Sequence, residues 1–314
     1  MDIKYFTGKK IISNPKRKMN VYHYTSPAGF LSIIEQGKLW FSDIQFLNDR
    51  SEYVYIKELF KEAEKNVGNE RRAEDEKFID YILGPPYEGY RIKPSCKPGS
   101  SPKRGLALEH VRYYILCASV EQDSHSLWNY YVKNNNYQGY NIGISVNSLI
   151  DSIAQQNSTW NITHGIVSYD RSMQIKNIQS KLIELKTKFD SDIRSGNNED
   201  ICIDDYQDNL TEYLLERCLF YKNPAFAHEK EYRFVIENSV EGNSEIKYHV
   251  GSNGLIVPHL ELEFSPQENI KNVTLAPMME REAAKTGVKL LLKNKYSNLD
   301  HECNVDFSKI NVRF

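Results

Sequence analysis

Three polar-aromatic clusters hold the side chains best suited to chemistry: "HYTS" at 23 to 26, "LWNYY" at 127 to 131 and "FAHEKEYRF" at 226 to 234. They supply the His23 imidazole, the rings of Tyr24, Trp128 and Tyr131, the carboxylates Glu229 and Glu231, and the Arg233 guanidinium. A histidine carries a donor and an acceptor on one ring, an aromatic ring offers a stacking face, and a placed carboxylate stabilises positive charge as it develops. Other chemistries drop out. The chain has no G-x-G-x-x-G, no G-x-x-x-x-G-K-[ST], no G-x-S-x-G and no H-E-x-x-H. His228 and Glu229 are adjacent, as in a metalloprotease motif, but no second histidine follows at the required spacing, so no metal site is expected. Taken singly, each cluster has a structural explanation: a satisfied core histidine, an i, i+3 packing pair of Trp128 and Tyr131, and the wet face of an edge strand. Their joint occurrence is the more specific signal.

The elements that must position these residues are legible in outline. "NVYHY" reads as a strand, after which Ser26 caps a helix with Pro27 at its first position, Phe30, Leu31, Ile33 and Ile34 on the buried side and Gly37 just past its end. "KLWFS" is a second strand and "NDRSEYVYIKELFKEAEKNV" a helix. Prolines, glycines and basic residues from Gly84 to Gly105 mark a long loop, residues 84–105. "RYYILCASV" is a strand, "DSHSLWNYYV" a short helix capped by Asp123 or Ser124, and "YNIGISV" and "THGIVSY" are strands. A helical insertion over 171–221 is broken at "DIRSGNNEDICIDD" into two helices. "EKEYRFVIE", "SEIKYHV", "LIVPHLELEF" and "NVTLAP" follow as strands, then a helix near Glu280 to Lys293 and a last short strand. The reading is one α+β domain over 1–314 with mixed sheets.

With 314 residues, 40% hydrophobic and 12% aromatic, the chain is long enough to bury a substantial core. No window approaches the roughly eighteen uninterrupted apolar residues of a membrane span, and "MDIKYFTGKKIISNPKRKMN" has no signal-peptide core, so a cytoplasmic protein without membrane contact is expected. Five cysteines, never in a C-x-x-C pair, point to reduced thiols. A net charge of −2 hides two basic stretches: Lys9, Lys10, Lys16, Arg17 and Lys18 in the first, and Arg91, Lys93, Lys97, Lys103 and Arg104 in the second. Either could meet a phosphate backbone by counterion release, although a solvated segment is the ordinary reading of a charge run.

"VYHYTSPAGFLSIIEQGKLWFSDIQFLNDRSE", "CASVEQDSHSLWNYYVKNNNYQGYNIGIS" and "KNPAFAHEKEYRFVI" resemble the three signature blocks of a large bacterial domain family of unknown function. The order of His, Tyr and Glu is also similar to that of ADP-ribosyltransferases of the diphtheria-toxin type, and "HYTS" to DNA-modifying transferases of toxin-antitoxin systems. The resemblance implies an ADP-ribosyltransferase-like split β-sheet and NAD as co-substrate. It implies that His23 bonds the adenosine ribose, Tyr131 stacks on nicotinamide and Glu231 binds the 2′-hydroxyl of the ribose whose glycosidic bond breaks. Tyr24, Thr25, Trp128, Asn48, Asp49 and Arg233 fall on the cofactor side, Arg233 holding a phosphate or bracing a carboxylate. Glu229 takes the place of an acid that orients the acceptor. On a strand, Glu229 and Glu231 share a face while Lys230 and Tyr232 point away, and a shifted register would make Glu229 the catalytic acid. The activity expected is mono-ADP-ribosylation by a bacterial toxin or phage-defence effector. The acceptor favoured is a nucleic acid, RNA or single-stranded DNA, met by Arg91, Lys93, Lys97, Lys103 and Arg104. The alternatives are a protein target, NAD hydrolysis and a non-catalytic binding module, and an antitoxin or chaperone partner is compatible with any of these.

Overall fold

The computed structural model describes residues 3–6, 11–13, 18–46, 51–67, 111–132, 136–156, 160–239, 246–251, 254–296 and 303–311. Asn48, Asp49, the loop 84–105 with its five basic residues, and Lys9, Lys10, Lys16 and Arg17 lie outside them.

The strands are β1 (Ile3–Phe6), β2 (Ile11–Ser13), β3 (Asn20–Thr25), β4 (Lys38–Asp43), β5 (Val111–Ser119), β6 (Tyr140–Ser145), β7 (Asn161–Ile166), β8 (Glu231–Ser239), β9 (Ile246–Val250), β10 (Ile256–Glu263), β11 (Ile270–Leu275) and β12 (Asn304–Phe307). The helices are α1 (Pro27–Gln36), α2 (Ser51–Val67), α3 (His125–Val132), α4 (Val146–Gln156), α5 (Arg171–Arg194), α6 (Glu199–Cys218), α7 (Pro266–Asn269) and α8 (Arg281–Lys295). The architecture is α+β. Local chemistry sets the ends of α1 as the sequence reading expects: Ser26 Oγ accepts from Gly29 N at 3.1 Å, and Gly37 leaves the helix in the left-handed conformation. Such a cap contributes about 1 kcal/mol.

The strands join in one mixed sheet in the order β12-β11-β6-β3-β5-β8-β7-β1-β2, with β4, β10 and β9 branching off. The branch point is β5. Along one edge it pairs with β8 over its whole length. The other edge is shared: β3 meets it only at Tyr22↔Ser119, whereas β4 meets it at Ser42↔Ile115 and Asp43↔Tyr114. The sheet therefore forks beside residues 116 to 118 of β5.

Both faces are covered, and β5 shows why. Tyr114, Leu116 and Ala118 enter a core closed by Phe30 and Ile34 of α1, Leu149 and Ile153 of α4, and Val288 and Leu292 of α8. Ile115 enters a second core with Ile56 and Phe60 of α2, Ile178 and Leu182 of α5, and Leu210 and Leu214 of α6. Alternate residues of one strand thus serve opposite layers. The helical pair α5 and α6 breaks at residues 195 to 198, inside the polar stretch that the sequence marks as the break. A third, small core of Tyr24, Leu127, Trp128, Val132 and Ala276 seats α3 beside the fork.

Candidate functional site

The fork creates an unmet polar group, and His23 meets it. The Cys117 carbonyl faces the gap, where neither β3 nor β4 has a register partner for it, and His23 Nδ1 lies 3.2 Å from that oxygen. A carbonyl only accepts, so Nδ1 carries the proton and Nε2 keeps the lone pair. Burial, opposed by the Cys117 bond, holds the His23 pKa below its ordinary value. Nitrogen-15 shifts of the imidazole at pH 7 are expected to report the neutral Nδ1–H form. An imidazolium, or the Nε2–H tautomer, would contradict this placement.

A narrow cleft opens beside the fork, lined by Tyr22 and Tyr24 of β3, Cys117 and Ser119 of β5, Tyr131 of α3, and Glu229 and Glu231. Its cavity volume is about 20 Å³, room for little more than one water. Tyr22 and Tyr24 share a face of β3, and His23 alternates to the other. The structure therefore brings Tyr24, Tyr131, Glu229 and Glu231 together and sets His23 behind them, linked through Cys117. Thr25 is half-buried at the end of β3, against the first turn of α1, where a Cβ added to Gly29 would meet its Oγ1 at 2.2 Å.

Tyr131 stacks on Tyr24 with centroids 6.2 Å apart, and its ring is 49% exposed. Its hydroxyl end meets an acidic environment: burial first, then the neighbouring Glu231 and Glu229 carboxylates, raise its pKa, so it remains a neutral phenol. Trp128 lies elsewhere. It is 0% exposed, packs edge-on to Tyr24 at 4.7 Å and donates Nε1–H to Asp123 Oδ1 at 2.7 Å. Its ring is a core element rather than a stacking surface for a ligand. Asp123 is spent the same way: it also accepts from Ser308 Oγ and the Lys309 N–H, both at 2.7 Å, instead of capping α3.

The carboxylates are placed by a turn, not by strand alternation. β8 begins at Glu231, while Glu229 closes a 3-10 turn, Pro224–Glu229, and Lys230 sits between them in the left-handed conformation at φ 43°. The expected shared strand face is therefore corrected, although both acids still reach the cleft because the left-handed residue bends the chain back. Ser119 Oγ donates to the Glu229 carbonyl at 2.8 Å and fixes that bend.

Glu231 is 6% exposed and held by buried cations. Arg233, fully buried, grips it side-on, Nε to Oε1 and Nη2 to Oε2, each at 3.0 Å, and spends Nη1 on the Leu219 carbonyl at 2.8 Å. Lys222 bridges the two acids, 3.3 Å from Glu231 Oε2 and 2.6 Å from Glu229 Oε2, with its ammonium 5.0 Å from the Phe226 ring centroid. Burial works to raise the Glu231 pKa, and the charges of Arg233 and Lys222 outweigh it, so the carboxyl stays ionised well below the usual range. Cys117 moves the opposite way: burial, then the Glu231 charge, push its thiol up, which keeps it protonated and removes it as a thiolate nucleophile. Lys222 is the functional residue that the sequence patterns did not mark. Its one local cue is the turn "KNPAF": the 3-10 turn that follows brings Glu229 and Glu231, seven and nine residues on, back to its ammonium.

Residues 127–234 match a family described as "Protein of unknown function (DUF2971)". The match runs from Leu127 in α3 to Phe234 in β8 and takes in Tyr131, Lys222, Glu229, Glu231 and Arg233. A family of unknown function is what the block resemblance implies; the first block, with His23, lies outside the matched stretch. No curated protein and no solved structure matches the chain. Among the described residues, no group of three or more His, Cys, Asp or Glu side chains converges as a metal site, and no helix is long and apolar enough to cross a membrane.

Proposed function

We propose that the cleft at the fork binds the nicotinamide-ribose end of NAD and supports transfer of ADP-ribose to a nucleic acid, on an ADP-ribosyltransferase-like split sheet. The observation that carries this reading is the convergence of Tyr131 with Glu229 and Glu231 in one cleft, from positions about a hundred residues apart in the chain. The donor set suits the co-substrate chemically. Breaking a nicotinamide-ribose bond places positive charge on the sugar, and nicotinamide departs without a general acid. An ionised Glu231 beside the ribose counters that charge, and its Oε1, which accepts from Arg233, is the oxygen that would meet a 2′-hydroxyl. Size is the stricter condition. A cleft that admits one water holds a nicotinamide ring only after Tyr131 turns away from Tyr24, and Tyr131 is exposed enough to turn.

Glu229, more exposed than Glu231, faces the acceptor side in this reading. The two basic stretches and the similarity of "HYTS" to DNA-modifying transferases support a nucleic-acid acceptor, with the target base unstacked. A toxin or phage-defence role, with an antitoxin or chaperone partner, belongs to the same proposal. The test is incubation of the protein and radiolabelled NAD with total cellular extract. Label that resists protease and is lost to RNase or DNase is expected. Protease-sensitive label would replace the acceptor with a protein, label recovered only as free ADP-ribose would mean hydrolysis, and no turnover by folded protein would leave a non-catalytic binding module.

A further inference from the structure

We propose that the cavity bounded by α8, β12 and the turn after β5 is a second ligand site, and that it takes a ribonucleoside phosphate. The cavity measures about 540 Å³, within the range of roughly 300–1,000 Å³ typical of small-molecule sites, and is far larger than the cleft at Glu231. Arg281, Lys309, Phe307, Asp306, Gln122 and Thr274 line it.

Two cations, Arg281 and Lys309, and two acids, Asp123 and Asp306, line this cavity, and the cations can receive an anion. Among the described residues, neither Arg281 nor Lys309 has an ion-pair partner, yet both face the same space. Arg281 instead lies over Phe307, its guanidinium carbon 5.4 Å from the ring centroid, and Lys285, one turn further along α8, lies 5.3 Å from the same centroid. A cation–π contact fixes a guanidinium in place and leaves its N–H donors for a phosphate. Asp123, the other acid at the wall, is turned inward by its bonds to Trp128, Ser308 and the Lys309 backbone, so both its oxygens are occupied within the protein.

The remaining groups suit the rest of such a ligand. Asp306 presents a carboxylate, the group that accepts both hydroxyls of a ribose diol, while its other described bond comes from the Asn304 side chain. Phe307 adds an aromatic wall beside the guanidinium, against whose edge the base of such a ligand would rest. One wall is tied down by hydrogen bonds: Thr274 is buried and accepts from Gln122 Nε2 at 3.2 Å, and the Gln122 carbonyl accepts from Asn141 Nδ2 at 2.6 Å. Preorganised walls lower the cost of binding. The site shares no lining residue with the Glu231 cleft, so it stands or falls apart from the reading of that cleft.

The experiment is calorimetric titration of the full chain, without NAD, using the four ribonucleoside monophosphates, adenosine and inorganic phosphate. At least one monophosphate is expected to bind saturably and more tightly than adenosine or phosphate alone. Arg281→Ala should weaken that binding about tenfold or more, as expected for loss of a charge-assisted contact. The wild type should prefer that monophosphate to its 2′-deoxy analogue, titrated alongside, and Asp306→Asn should erase the preference, with both variants keeping the wild-type unfolding midpoint. Failure of every monophosphate to bind, or an Arg281→Ala affinity equal to wild type, would overturn the proposal.

Discussion

An Arg233→Ala variant is expected to lose about 3–5 kcal/mol of folding stability at neutral pH, read as a lowered denaturant midpoint at unchanged slope. The reason is what the arginine leaves behind. Glu231 is 6% exposed and takes two hydrogen bonds from Arg233, so its removal strands a buried carboxylate whose one remaining cation, Lys222, is shared with Glu229. The Leu219 carbonyl loses its Arg233 donor as well. A double variant, Glu231→Met with Arg233→Met, should recover about 2 kcal/mol or more of the loss, because buried ion pairs are often replaceable by well-packed apolar side chains and Lys222 keeps Glu229. A double variant no more stable than the single one would show that the pair is not the source of the loss.

The same network sets a pH dependence. The folded-state pKa of Glu231 lies below its unfolded value, so its contribution is complete above the ordinary glutamate range and is lost as the pH falls through the lowered folded-state value. The gap in stability between wild type and Arg233→Ala should therefore be constant near neutrality and close on acidification. A gap that stayed constant down to strongly acidic pH would assign the loss to packing instead of charge.

What was legible in the sequence was whatever chain neighbours decide. The ends of α1 follow from Ser26, Pro27 and Gly37, and the break between α5 and α6 follows from a polar stretch. α4 is a helix where the sequence pattern suggests only a continuing strand and loop, although Val146, Leu149, Ile150 and Ile153 follow helical spacing and Ser145 Oγ accepts from Ser148 N at 3.4 Å. The apolar run of β6 flows into it without a breaker. β1 was unassigned because "IKYF" is too short to show a period, and its pairing with β7 is a tertiary fact. At the site, the sequence marked the cleft carboxylates but misread how they get there, since a left-handed lysine is not a residue that propensity anticipates. His23 is the clearest case. Its position on the strand was evident, but a forked sheet with an unpaired carbonyl exists only once β3, β4 and β5 are assembled.

A Glu231→Gln variant is expected to lose about 10²–10³-fold in the rate of NAD turnover while its affinity for NAD changes only a few-fold, if the cleft performs the proposed transfer. Glutamine keeps the length of the side chain and a carbonyl that can still accept from Arg233, but it removes the negative charge that a cationic sugar requires. Some stability goes with it, because the amide N–H₂ group would face donors of Arg233 or Lys222 now held by the carboxylate. Rates must therefore be compared well below the unfolding midpoint of the variant. Glu229→Gln separates the two acids. Glu229 meets Lys222 but takes no part in the Arg233 fork, and in this reading it faces the acceptor, so its loss should leave NAD cleavage within about tenfold of wild type and shift the product from modified acceptor to free ADP-ribose. If Glu231→Gln retains wild-type turnover while Glu229→Gln abolishes cleavage itself, the roles are reversed: Glu231 would then be the brace that fixes Lys222 and Arg233, and Glu229, the more exposed carboxylate, would be the acid that meets the sugar.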